Sequence, residues 1–193
     1  METEILQQRA ANVLNVESSI VALSTEHANE LFGKAIRRLL NVKKWHTLPC
    51  SLLSELQLTD HNGFQVDRQV RENDYFVVNN DNGDGEWVKV ERVFIQCDPS
   101  GPREVLTMRT RPTCSPLVGG EEPIRPSNTF KVMRQGLNIT VAVYGKNDED
   151  GSSRSYPSFE QDSDRPDLTV GAIPGVARVQ WRSLVNGILS TWF

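Results

Sequence analysis

The run Asn80-Asp81-Asn82-Gly83-Asp84-Gly85, followed by Glu91, has the residue types and spacing of a calcium-binding loop. Counted from Asn80, side-chain oxygens fall at positions 1, 3 and 5, a glycine at 6 and a carboxylate at 12, with Asn replacing the usual Asp at position 1. The flanks argue against that chemistry. DYFVV and WVKVERVF are rich in β-branched and aromatic residues, whereas a calcium loop needs helices to hold its ends. A strand from Trp87 to Glu91 would also carry the carboxylate about 13 Å from the loop, at about 3.3 Å per residue. The segment reads as a polar hairpin turn, and no specific calcium binding is expected of it.

The remaining reactive residue types are scattered. Cys50, Cys97 and Cys114 form no C-x-x-C pair and are odd in number, which is the pattern of reduced thiols in a cytoplasmic protein. His27, His46 and His61 lie far apart, so no metal site or cofactor is expected. Acid–base pairs such as His46 with Asp60, or Arg134 with Asp74, would have to be assembled by the fold. Neither a glycine-rich phosphate loop after a strand nor a G-x-S-x-G elbow is present. Catalytic residues therefore stay unassigned. Lys34, Arg37, Arg38, Lys43 and Lys44 make a basic cluster beside Trp45 and His46; the first three share the helix face away from its apolar stripe, where solvation accounts for them. With 21 basic against 25 acidic residues and a net charge of −4, the 193-residue chain is not expected to bind nucleic acid.

Elements that must position these residues are readable from periodicity. The chain is long enough for a single domain, burying roughly 70% of its unfolded surface. Ile5, Leu6, Ala10, Val13 and Leu14 predict a helical segment within 1–14, and this N-terminus lacks the layout of a secretory signal. VESSIVAL (16–23) reads as a strand. Ser24 and Thr25 then offer N-caps, Glu26 suits a first turn, and the stripe Leu31, Phe32, Ala35, Ile36, Leu39, Leu40 predicts a helix over 25–40 ended by Asn41. From 63 to 145 the period changes to two, with six strand-like runs: FQVDR, DYFVV, EWVKVERVFIQ, REVLTMRT, NTFKVMR and NITVAVYG. Gln135-Gly136 predicts a tight antiparallel hairpin between the last two. Residues 15–145 thus hold strand, helix and antiparallel sheet, 146–167 form a polar acidic loop, and 168–193 a closing helix, with Pro174 in its first turn. No apolar run is long enough to span a membrane.

The fold class is α+β, a curved antiparallel sheet of about seven strands gripping a long C-terminal helix. SSIVALSTEHANELFGKAIRRLLNVKKWHTL at the start and AIPGVARVQWRSLVNGILS at the end resemble, in layout over about residues 15–193, the START-like helix-grip (SRPBCC) superfamily. The resemblance is one of element order and matches no residue signature, and the long acidic stretch before the last helix departs from the pattern. It implies an apolar cavity between sheet and closing helix that holds a hydrophobic or amphipathic small molecule, such as a lipid. Trp87, Trp181, Leu184, Val185 and Ile188 are the candidate lining, and Tyr156 and Phe159, an apolar island in the acidic loop, the candidate rim. Two alternatives stand beside it. Trp181, Leu184, Val185 and Ile188 equally describe plain core packing in an interaction module, and a cyclase- or dehydratase-like cavity enzyme would need one inward titratable group. A homo-oligomer is left open.

Overall fold

The computed structural model describes residues 15–79, 85–98, 103–118, 127–146, 173 and 176–191. The expected helical segment within 1–14 and the acidic stretch from 147 onward, with Tyr156 and Phe159, lie outside them. So do Pro174, the tip of the Asn80–Asp84 turn, Trp192 and Phe193.

Chain order is β1 (Asn15–Val21), α1 (Thr25–Leu40), a 3₁₀ turn (Val42–Thr47), then β2 (Leu56–Thr59), β3 (Tyr75–Asn79), β4 (Gly85–Cys97), β5 (Arg103–Thr113), β6 (Ser127–Gln135), β7 (Asn138–Lys146) and α2 (Arg178–Leu189). The seven strands form one antiparallel sheet in the order β1-β7-β6-β5-β4-β3-β2, so the first strand closes onto the last. Both helices pack on its concave face, α2 against β1 and β7 and α1 against β6 and β7. This is the curved sheet and C-terminal helix of the expected fold class.

α1 begins where the sequence places it. The Ser24 hydroxyl accepts the amide of His27 at 3.2 Å, and His27 Nδ1 accepts the amide of Leu23. Its far end is closed by Trp45, whose indole N–H donates to the carbonyls of Leu39 and Arg38 at 3.0 and 3.2 Å. Those carbonyls have no intrahelical partner, so a fully buried tryptophan does double duty as core and C-cap. α2 starts at Arg178; Ala177 is extended, and its amide is held by Gln180 Oε1 at 2.7 Å.

One strand is not where periodicity put it. FQVDR pairs only through an isolated bridge, Thr59 with Gln65, and Phe64 is 71% exposed. The seventh strand is instead LQLT, with Leu56 and Leu58 buried. Asp60 reverses the chain after it: its carboxylate accepts the amides of Asn62 and Phe64 at 2.9 and 3.0 Å. Desolvation pushes that carboxyl up, but the two amide bonds outweigh it and hold the pKa below the ordinary value. Gly63, with φ of +83°, completes the turn.

Candidate functional site

The concave face is built by alternation. Phe130 and Val132 on β6, Ile139, Val141 and Val143 on β7, Leu106 and Met108 on β5, and Val88 and Val90 on β4 all point inward and are buried. Trp181, Leu184, Val185 and Ile188 meet them from α2, each at most 1% exposed. Four of the expected lining residues are therefore brought together. Trp87 is not among them. It is out of phase with Val88 and Val90, lies on the opposite face of β4, and packs edge-on against Tyr75 at 6.4 Å.

A line of aromatic rings crosses the middle of the interior. Phe76 and Phe130 lie 5.9 and 5.4 Å from Trp45, and Phe130 is 5.4 Å from Trp181 in an edge-to-face contact. These rings fill the space they cross. Grooves of about 370, 280 and 230 Å³ lined by described residues open outside it. The first runs between β1, Pro49-Cys50 and the end of α2; the second is lined by Lys34, Arg37, Arg38 and Lys44.

Beyond the rings the concave face turns polar. Asn128 and Thr110 are directly opposed on β6 and β5, and both are fully buried. Among the described residues, neither the Asn128 amide nitrogen, its oxygen, nor Thr110 Oγ1 has a hydrogen-bond partner. Trp181 Nε1 is likewise buried and unpartnered. Gly145, which has no side chain, is the neighbour of Asn128 on β7. Sequence reading missed this pair because neutral polar residues look like solvent-facing ones. The signal was phase: Asn128 is two residues before Phe130, and Thr110 two after Met108, so each continues an inward row.

Carboxylates and cations are committed elsewhere. Asp74, buried, accepts a two-pronged bond from Arg68 and the amide of Arg71 at 2.7 Å, which raises the Arg68 pKa. Arg134 pairs with Glu104 at 2.7 Å, and Asp74 with Arg68, so the anticipated pairing of Arg134 with Asp74 is not formed. Glu91, the last position of the calcium-like spacing, contacts Arg111 and Arg109 at 2.7 and 2.9 Å. Arg38 leaves the solvent face assigned to it: its guanidinium donates to the carbonyls of Ile188 and Ser190 at 2.9 and 2.6 Å. It thereby caps α2, and burial lowers its pKa.

No protein-family model and no curated protein matches the chain. Among solved structures it is similar to protein Ms6760 from Mycobacterium smegmatis (15% identity, TM-score 0.44, 93% of this chain and 89% of that one). It is also similar to the hypothetical protein jhp0584 from Helicobacter pylori (12% identity, TM-score 0.44, 70% and 69%). Ara h 8.0201 gives 14% identity and a TM-score of 0.36 over 92% and 95%. The class defined by strand order and helix placement is a curved antiparallel sheet with helices in its concavity, resembling the helix-grip layout.

Proposed function

We propose that the protein binds a small amphipathic molecule at the polar end of the concave face, its apolar part against Trp181 and Phe130 and its polar group on Asn128 and Thr110. The observation that supports this reading is the Asn128 amide, buried with donor and acceptor both unpartnered among the described residues, beside a hydroxyl in the same state. Leaving such groups unmet costs about 1–3 kcal/mol each, and a ligand offering one donor and one acceptor would recover much of it. Among the described residues, the inward positions flanking Asn128 are Thr110, Phe130 and Gly145, none of them titratable. Binding rather than acid–base catalysis is what such a set supports.

The test uses Asn128→Leu and Thr110→Val. Full-length protein is titrated with oleate and with 8-anilinonaphthalene-1-sulfonate, and native mass spectrometry reports stoichiometry. Saturable one-to-one binding is expected, weakened at least tenfold by the double variant. The ligand-free variant should be as stable as the parent or more so, because apolar replacements remove orphaned polar groups. Absence of saturable binding by a cooperatively folded parent would favour the second reading, an interaction module with a filled core. The aromatic line Phe76–Trp45–Phe130–Trp181 is the observation on that side.

A further inference from the structure

On the convex face of the sheet, cations stand opposite cations. Lys89 of β4 faces Arg111 of β5, and Arg92 faces Arg109 in the next outward pair. Like charges directly opposed destabilise a ladder, so chance and stability both disfavour two such pairs in succession. A β-bulge between Val90 and Arg92 creates the arrangement. It adds one residue, so Glu91 and Arg92 both fall on the outer face while Val90 and Val93 keep facing in. The bulge is held deliberately: the amide of Asn73 donates to Val90 O at 2.8 Å, and the amide of Val93 to Glu72 Oε1 at 3.1 Å. Glu91 bridges Arg109 and Arg111.

Rings border these cations on the same face. Trp87 is half-buried, Phe94 is 38% exposed, and Tyr144 lies with the Lys131 ammonium 5.5 Å above its ring. Lys131 stands on β6 opposite Thr107, which extends the charge one strand further. The overall net charge of −4 is not that of the described residues. Asp148, Glu149, Asp150, Glu160, Asp162, Asp164 and Asp167, against Arg154 and Arg165, more than account for it, and the described residues carry an excess of Lys and Arg.

We propose that the convex face binds single-stranded nucleic acid, with phosphates on Lys89, Arg92, Arg111 and Lys131 and bases stacked on Trp87 and Phe94. Cations alone would attract any polyanion; the interleaved rings select a chain that carries flat bases as well as phosphates. The convex face of the antiparallel sheet presents both at strand spacing, and it is separate from the concave face proposed for the small molecule.

Fluorescence anisotropy of labelled dT15 and rU15 against the full chain, at 50 and 200 mM salt, tests it. Expected are saturable binding and a log–log salt slope of several units, since each phosphate contact on a single strand adds about −0.7. The double variant Arg92→Glu/Lys131→Glu should lose at least tenfold in affinity and flatten the slope. Trp87→Leu should weaken binding while leaving the slope intact. Arg37→Glu/Lys44→Glu, on the other side of the sheet, should change affinity less than twofold. No binding at 50 mM salt by protein with unaltered circular dichroism would overturn the proposal. So would equal affinity for phosphatidylserine vesicles with no response to Trp87→Leu, which would make the face a membrane surface.

Discussion

Trp181 carries the densest set of roles in the molecule. It is 1% exposed, packs edge-to-face on Phe130, and carries a buried indole nitrogen with no hydrogen-bond partner among the described residues. Trp181→Ala is expected to destabilise the protein by about 3–5 kcal/mol, read from urea unfolding, because a buried aromatic is lost and its cavity only partly collapses. A loss below about 1 kcal/mol would place the ring outside the core. Trp181→Phe keeps the packing and removes the N–H, so it should cost far less stability while lowering affinity for the amphipathic probes. At this scale the sequence was informative for large apolar side chains and mute for small polar ones. The stripe on the closing helix marked Trp181, Leu184, Val185 and Ile188 as inward. Nothing in Thr110 or Asn128 taken alone distinguishes a buried position from a wet one; their phase with Met108 and Phe130 does, and the register of β5 against β6 then sets them opposite each other. Trp87 illustrates the converse, a large ring whose strand phase turns it outward.

At the scale of elements, caps and stripes were legible and close approaches were not. α1 was readable to the residue because Ser24, Glu26 and a continuous apolar face agree. β2 was missed since LQLT is only four residues long, and the alternation of Phe64 and Val66 imitated a strand that the Asp60 turn prevents. The docking of α2 depends on contacts between positions far apart in the chain. A Cβ on Gly187 would lie 2.9 Å from the carbonyl oxygen of Pro49 and 3.0 Å from Leu48 Cβ. Gly187→Ala is therefore expected to destabilise by about 1–3 kcal/mol, although alanine is the better helix former. A gain in thermal midpoint would show that the Leu48-Pro49 segment yields instead. Arg38 closes the same end of α2, a service no helical wheel of α1 reveals.

For the whole molecule, the change from period two to period 3.6 was enough to place a helix against a sheet, and element order was enough to resemble the helix-grip layout. Strand order was not in the sequence, because pairing β1 with β7 is a matter of which edges are left to meet. Ser183 and Gln180 tie α2 to the Leu52 backbone, and Arg178 donates to the carbonyl of Asn15. The last helix thus holds the first strand, the 50s segment and the last strand together. A chain ending at residue 172 is expected to lose its near-ultraviolet circular dichroism and its cooperative urea transition, since Val16, Val141, Val143 and Phe130 would be uncovered. A truncated chain that still unfolds in one sharp step would show that the sheet and α1 suffice.

Pairing of β1 with β7 also sets a timetable. Asn15 bonds opposite Tyr144 and Val21 opposite Asn138, so about 120 residues must leave the ribosome before the first strand meets its neighbour. At about 5–20 residues per second, that is a wait of roughly 6–24 s. During it the nascent chain presents Val16 and Ile20 with no ladder to join, and α1 with a stripe facing nothing. Holdase chaperones recognise such segments, and this one becomes cryptic only when the carboxy-terminal helix arrives. The first strand, although synthesised early, is among the last parts to become native.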